Sequence, residues 1–140
     1  MRVRVLAAMH YPPGETPWHW VETLDPDWPA IDAAIRRLDR NEWPFVWLHL
    51  APPIEDEPPE GGLCITGGRG EYSLLSPRGD RFLRYRDPTR SQTWVRIWES
   101  DQGSEERERS LCNDIGRVLA IARYLADRAE LDPSATWVET

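Results

Sequence analysis

The stretch Gly62-Leu63-Cys64-Ile65-Thr66-Gly67-Gly68-Arg69-Gly70-Glu71-Tyr72-Ser73-Leu74-Leu75 decides the fold. Two apolar runs suited to β-strands flank a turn that contains Gly67, Gly68 and Gly70, a pattern typical of an antiparallel hairpin. Such turns need positive φ angles, which glycine adopts readily, so we assign the three glycines a structural role. The run lacks the spacing and the following helix of a phosphate-binding loop, which disfavours a nucleotide cofactor.

Strand-like segments continue on both sides of this hairpin. They show two-residue alternation or enrichment in β-branched and aromatic residues, and they lie at 3–7, 45–50, 81–86 and 93–98. Residues 11–29 contain five prolines and a glycine, which predicts an irregular loop. The polar segment 99–109 predicts a second loop before the last helix.

Two amphipathic helices complete the set of elements. Asp27 is suited to cap the first and Pro29 to its first turn. Its apolar stripe consists of Ile31, Ala34, Ile35 and Leu38. The second helix is predicted at 110–128, where apolar residues recur with helical spacing. The sequence therefore predicts a single α+β domain over residues 1–140, with a mostly antiparallel sheet of about five or six strands and two helices packed on it.

Charge and targeting signals restrict the expected partners. The chain carries 24 acidic and 17 basic residues, a net charge of −7. This balance disfavours nucleic acid and anionic membranes and favours a basic protein partner. The N-terminus lacks the apolar core of a signal peptide, and no stretch approaches the roughly 18 apolar residues of a membrane span, so we expect a cytoplasmic protein. Cys64 and Cys112 have apolar neighbours and are expected to be buried thiols.

The sequence contains little that indicates catalysis. His10, His19 and His49 lack metal-ligand spacing, so we expect neither a metal nor a cofactor. We expect His49 to be a half-buried residue of the sheet. Acidic residues cluster in the loops, and two opposed carboxylates are the catalytic pair of glycosidases. A small carboxylate enzyme therefore stays open, beside the alternative that these charges are only solvated. A carbohydrate-binding protein also stays open, because aromatic rings stack on sugars.

Eight tryptophans are the other unusual feature. Trp47 and either Trp94 or Trp98 are assigned to the core. The remaining indoles exceed what one sheet and two helices readily bury, and tryptophan is enriched at the energetic centres of protein interfaces. The partner-binding candidates are Glu55, Asp56, Glu57, Glu60, Glu99, Asp101, Glu105, Glu106, Trp18 and Trp20. An accessory protein-interaction domain with a flat apolar patch is a further alternative.

The C-terminal segment resembles a known family. Ala122-Arg123-Tyr124-Leu125-Ala126, followed by Leu131-Asp132-Pro133-Ser134-Ala135-Thr136-Trp137-Val138-Glu139, is similar to the ending of the first-numbered immunity protein family of bacterial polymorphic toxin systems. In that family the last helix runs into a proline, a short spacer and a C-terminal Trp followed by an acidic residue. The run 62–72 also resembles the family's Gly-rich hairpin.

The resemblance implies a function without catalysis. An immunity protein of this family has an α+β fold, binds its cognate toxin in the cytoplasm of the producing cell and blocks the toxin's active site or substrate path. It is no enzyme, and an acidic surface suits a basic toxin. In this chain the first acidic loop, Glu55–Glu60, and the second acidic segment, Glu99–Glu106, would face the toxin together with the tryptophans near them. Trp137 would be structural, packing the tail onto the sheet.

Overall fold

The structure, a computed structural model, describes residues 1–14, 17–99 and 103–140. The strands are β1 (Val5–His10), β2 (His19–Leu24), β3 (Phe45–His49), β4 (Leu63–Gly68), β5 (Glu71–Arg78), β6 (Arg81–Arg86), β7 (Trp94–Arg96), β8 (Glu105–Arg107), β9 (Leu111–Cys112) and β10 (Thr136–Glu139). The helices are α1 (Trp28–Arg36) and α2 (Ile115–Arg128), and a short 3-10 turn spans Glu108–Ser110.

One large antiparallel sheet organises these elements. Its strand order is β10-β6-β5-β4-β3-β1-β2, and β9 pairs in addition with β5, which makes eight strands. The remaining strands β7 and β8 form a separate two-stranded antiparallel sheet. The α+β prediction is therefore right at the level of class, and the predicted sheet of about five or six strands is too small.

The two helices and one face of the sheet enclose the hydrophobic core. We call this side of the sheet the helix-covered face. Its strands contribute Leu6, Ala8, Val46, Leu48, Leu63 and Ile65, which belong to one buried cluster with both helices. From the helices come Ile31 and Ile35 of α1 and Val118, Ile121 and Leu125 of α2, all 0 or 1% exposed. Burial of aliphatic side chains on this face is the main stabilising contribution to the fold.

Side-chain caps fix where the helices begin. The carboxylate of Asp27 accepts a hydrogen bond of 2.9 Å from the backbone N–H of Ala30. Asp114 accepts in the same way from Gly116 N–H, at 2.9 Å. The predicted second helix began too early, because its first residues are extended: Leu111 and Cys112 form β9 against β5, and the helix starts only after the Asp114 cap.

Two predicted loops contain strands, which accounts for the underestimated sheet. Residues 19–24 of the supposed loop 11–29 form β2, because Pro17 and Pro26 flank a proline-free run of β-favouring residues that pairs with β1. Within the supposed loop 99–109, β8 pairs with β7. Charged residues masked this strand, since Glu105, Glu106 and Arg107 carry no apolar alternation.

The glycine turn between β4 and β5 has the backbone conformation that glycine favours. Gly67, Gly68 and Gly70 all have positive φ, between +89° and +133°. A Cβ on Gly68 would lie 2.5 Å from the backbone carbonyl of Leu38, whereas Gly70 has open space around it. Gly68 therefore permits the close approach of the chain that follows α1, and Gly70 serves the turn alone.

Candidate functional site

The side of the sheet opposite the helices carries aromatic and polar side chains. Antiparallel pairing places directly opposed residues on the same face, and the register aligns Trp20 with Met9 and Met9 with Phe45. Two residues before Met9 on β1, and therefore on the same face, Ala7 lies between Glu22 and Trp47. We call this side, with Met9, Trp20, Glu22, Phe45, Trp47 and His49, the aromatic face. It shares strands β1 to β3 with the helix-covered face.

The rings on the aromatic face form a continuous row. Trp18 and Trp20 meet edge to face at 5.9 Å between ring centroids, and Trp20 meets Phe45 at 5.8 Å. Phe45 contacts Trp47 at 5.9 Å. Trp47 stacks on His49 at 4.7 Å with the planes 13° apart. These distances and angles lie in the favourable range for aromatic pairs, so the rings hold one another in place.

A groove lies between the aromatic face and the proline-rich segment 50–61. We call it the aromatic groove; its volume is about 420 Å³. The floor consists of Ala7, Trp20, Glu22, Trp47 and His49, and the wall consists of residues 50–54 and 57–61. A cavity of this size, mainly apolar with a few polar groups, has the character of a ligand or side-chain binding site.

The wall of the groove is tied to the sheet at its C-terminal end. The Glu60 carboxylate accepts a hydrogen bond of 2.5 Å from Gly79 N–H. Gly61 N–H donates to the Pro77 carbonyl at 2.9 Å, and the buried Ser76 hydroxyl donates to the Gly62 carbonyl at 2.7 Å. These bonds anchor the segment to β5 and the turn that follows it, so the groove has a defined width where it meets Glu60.

Burial affects polar groups of two residues that line the groove, His49 and Trp47. Burial lowers the pKa of His49 below its usual value of 6.5, while the negative charge of Glu22 acts in the opposite direction. The neutral imidazole is therefore favoured at pH 7. The indole N–H of Trp47 is buried and has no hydrogen-bond partner in the protein. A buried donor without a partner is unfavourable for folding.

The first acidic loop is divided between the groove and solvent. Glu57 and Glu60 line the groove, whereas Glu55 and Asp56 are exposed outside its lining. Together with Glu22, the groove lining therefore includes three acidic residues and two tryptophans. The structure thus brings half of the predicted acidic residues of this loop next to Trp20, which is 38% exposed. Trp18 is 45% exposed and reaches the groove only through its contact with Trp20.

The described residues of the second acidic segment, 99 and 103–106, contribute nothing to the groove lining. Its described carboxylates pair with arginines instead: Glu99 with Arg69 at 3.8 Å, Glu105 with Arg96 at 3.9 Å and Glu106 with Arg84 at 2.5 Å. Asp101 lies outside the described residues. These ion pairs link the segment to the glycine turn, to β7 and to β6.

The thiols have little reactivity in this fold. Cys64 and Cys112 are free and buried, as the sequence predicts. Burial raises the pKa of Cys64 to about 12, and burial also raises the pKa of Cys112. Both thiols are therefore protonated at neutral pH, and the thiolate is the nucleophilic form. Among the described residues, no group of three or more His, Cys, Asp or Glu side chains is arranged to hold a metal ion.

Trp137 lies in the C-terminal strand against the sheet. Its indole N–H donates to the Asp132 carbonyl at 3.0 Å, and its ring meets Tyr85 edge to face at 6.1 Å. The pairing of β10 with β6 sets Trp137 opposite Tyr85. These contacts hold the tail on the sheet.

Sequence reasoning missed the main constituents of the groove. It assigned Trp47 to the core, but Trp47 is half-buried, lies outside the core cluster and lines the groove. His49 is half-buried in a strand, as expected, and it also faces the groove. Glu22 was not singled out. The alternation of Phe45, Trp47 and His49 with aliphatic Val46 and Leu48 is the signal that separates the two faces.

No helix in the described ranges is long and apolar enough to cross a membrane. Compared with known proteins, the chain matches no family model, no curated protein and no solved structure.

Proposed function

We propose that this protein is an immunity protein that binds a basic toxin through the aromatic groove and so neutralises it in the producing cell. One observation carries the proposal: an aromatic-floored groove of about 420 Å³ is lined by the three acidic residues Glu22, Glu57 and Glu60. A lysine or arginine side chain of a partner would find indole faces for its cation and carboxylates for its hydrogen bonds. The similarity of the C-terminal segment to the immunity family supports the same function.

The overall charge supports a basic partner. A net charge of −7 accelerates association with a cationic protein, and the effect falls with ionic strength. The groove adds specificity, because a cation that is withdrawn from water between Trp47 and Glu57 is more strongly bound than one on the rim. We therefore expect the association rate to depend on salt and the dissociation rate to depend on the groove residues.

Co-expression with a toxin encoded by the adjacent gene tests the neutralisation. We expect cells that carry both proteins to grow and cells that carry the toxin alone to die. Glu57→Lys should abolish this protection, because it places a cation in the groove that the partner's cation would occupy. Glu55→Lys is the matched control, since Glu55 belongs to the same loop but lies outside the groove lining.

A second pair of variants tests the aromatic floor. Trp20→Ala should weaken toxin binding at least about tenfold, the equivalent of about 1.4 kcal/mol, as measured by isothermal titration calorimetry. Trp94→Ala is the control, because Trp94 is 54% exposed in the β7–β8 hairpin and does not line the groove. Equal binding by wild type, Glu57→Lys and Trp20→Ala would overturn the proposed docking site, and death of the co-expressing cells would overturn the neutralisation.

Binding of a saccharide is the second candidate for the same groove. The observation that favours it is the nearly parallel pair of Trp47 and His49 rings beside carboxylates, within a cavity of small-molecule size. Titration with neutral disaccharides such as cellobiose and maltose, followed at the indole N–H signals of Trp20 and Trp47, tests it. Saturable shifts that Trp20→Ala removes would favour the saccharide, and unchanged signals up to millimolar concentrations would exclude these sugars.

A further inference from the structure

Strand β2 is an open edge with an unusual surface. It ends the strand order and pairs only with β1 among the described strands, and all six of its residues are exposed. Of the large apolar side chains that the described residues expose, half lie between positions 18 and 24: Trp18, Trp20, Val21 and Leu24. Open edges of this kind are templates for pairing with another strand, and proteins usually protect them.

The backbone of β2 is oriented for such pairing. Asp25 N–H donates to the Arg4 carbonyl at 2.8 Å, and the ladder with β1 continues in register from there. In an antiparallel pair, the N–H and C=O groups of successive residues point to alternate sides of the strand. Val21 and Thr23 therefore face β1 like Asp25, and the backbone groups of Trp20, Glu22 and Leu24 point outward.

The opposite edge of the sheet differs. Strand β10 carries none of the large apolar side chains that are exposed in the described residues. Its Glu139 pairs with Arg81 at 2.6 Å, and the following residue, Thr140, donates its N–H to the Phe82 carbonyl at 2.9 Å. An exposed apolar surface at an unpaired edge is therefore a property of β2 and not of both ends of the sheet.

The two sides of β2 border cavities of different charge. Its Trp20 and Glu22 side chains line the aromatic groove, which has the three carboxylates. On the helix side, a smaller cavity of about 230 Å³ lies between β2 and α1, where Val21 faces Ala30, Ala34 and Arg37. The first cavity thus attracts a cationic side chain, whereas the second has small apolar walls and one cation of its own.

We propose that β2 binds an extended segment of the partner as an added strand, in which Arg or Lys alternates with small aliphatic residues. Side chains of an added strand alternate between the two faces of the sheet. Its cations would lie on the groove side, opposite Glu22, and its aliphatic side chains would lie over the cavity bordered by Arg37. Outward backbone groups supply affinity, and the two cavities supply specificity. That the segment belongs to a toxin rests on the proposed function.

Two peptides of equal composition and charge test the alternation on the intact chain. We expect the capped peptide Arg-Val-Arg-Val-Arg-Val to bind and Arg-Arg-Arg-Val-Val-Val to bind at least about tenfold more weakly, because only the first presents one cationic and one aliphatic face. Amide hydrogen exchange should slow at Trp20, Glu22 and Leu24 when the first peptide saturates the protein. Equal affinity of the two peptides, or unchanged exchange at these three amides, would overturn the inference.

Leu24→Pro tests the role of the outward N–H groups. Proline removes one such donor without breaking the ladder to β1, so we expect an unchanged melting temperature and at least about tenfold weaker peptide binding. Glu22→Gln should weaken binding by a similar factor through loss of the charge. If Leu24→Pro unfolds the protein, its outward N–H assignment is wrong and the inference fails with it.

Different results would overturn the added strand at β2 and the neutralising function. Alternation-dependent peptide binding without toxin protection would retain the edge site and remove the immunity function. Toxin protection that is lost with Glu57→Lys but unchanged by Leu24→Pro would retain the immunity function and overturn the added strand. A free protein that is dimeric by analytical ultracentrifugation, with these three amides already protected, would show that a second copy occupies β2 and would also overturn it.

Discussion

The two faces of the large sheet have different chemistry although they are made from the same strands. In β3, Val46 and Leu48 point to the helix-covered face and are 1 and 0% exposed. Their neighbours Phe45, Trp47 and His49 point to the aromatic face and are half-buried. Since alternate residues of one strand supply both faces, we expect single substitutions only one residue apart to separate stability from the proposed recognition.

The two faces of the sheet also differ in whether their side chains carry polar groups that need hydrogen bonds. The strand side chains that face the helices in the core are mostly aliphatic and have no hydrogen-bonding groups to satisfy. The aromatic face instead contains the unpartnered indole N–H of Trp47 and the partly buried His49 beside Glu22. Unpartnered groups of this kind are unfavourable for folding. The described residues contain three others outside the groove lining, namely the Nε atoms of Arg86 and Arg109 and the indole N–H of Trp98.

The largest expected change in the free energy of unfolding comes from a substitution on the helix-covered face. Leu125→Ala should lower the free energy of unfolding by about 3 kcal/mol, because Leu125 is 1% exposed in the core and its truncation leaves a cavity. Urea unfolding followed by tryptophan fluorescence measures this. Trp20→Ala on the aromatic face should lower the free energy of unfolding by less than about 1 kcal/mol. Equal losses in the two variants would break the distinction between the faces.

A smaller effect is expected at Trp47. Trp47→Phe removes the buried N–H that has no partner and also removes some apolar contact, and these changes oppose each other. We therefore expect the free energy of unfolding to stay within about 1 kcal/mol of wild type, while toxin binding weakens. A loss of 3 kcal/mol or more would place Trp47 with the core side chains.

The smallest effect concerns the pH dependence of stability. Burial lowers the pKa of folded His49 below its unfolded value, so the unfolded state binds the proton more readily. The contribution of His49 to stability is thus complete above about pH 6.5, the usual histidine pKa, and declines as the pH falls through that value toward the folded pKa.

Glu22→Gln sharpens this dependence. Removal of the negative charge that favours the imidazolium should lower the His49 pKa further, as measured by NMR titration of the imidazole protons. Glu130→Gln, an exposed substitution outside the groove lining, is the control and should leave that pKa unchanged. An unchanged or higher His49 pKa in Glu22→Gln would show that the two side chains do not interact across the groove.

Much of the fold could be predicted because the signals are local. The α1 stripe of Ile31, Ala34 and Ile35 is buried, and the glycine turn between β4 and β5 has the positive φ angles that a hairpin of this kind needs. The predicted α+β class follows from these elements. Strand β2 was missed because prolines dominate the composition around it, and its pairing with β1 is a tertiary interaction that local composition does not encode.

The candidate site could be predicted only in part. Glu57, Glu60 and Trp20 were singled out and lie together in the groove. Glu55 and Asp56 have the same composition signal but are outside the lining, because loop geometry rather than composition decides which carboxylates turn inward. The arginine partners of Glu99, Glu105 and Glu106 come from β6, β7 and the glycine turn, contacts that no local pattern in the sequence indicates.

Amide hydrogen exchange of the intact protein, free and bound to the proposed toxin partner, tests most directly whether the aromatic face is the docking surface. We predict slower exchange in β2 and in the segment 50–61, with unchanged rates in α2 and β10. Protection confined to α2 or β10, or no change anywhere on binding, would contradict it.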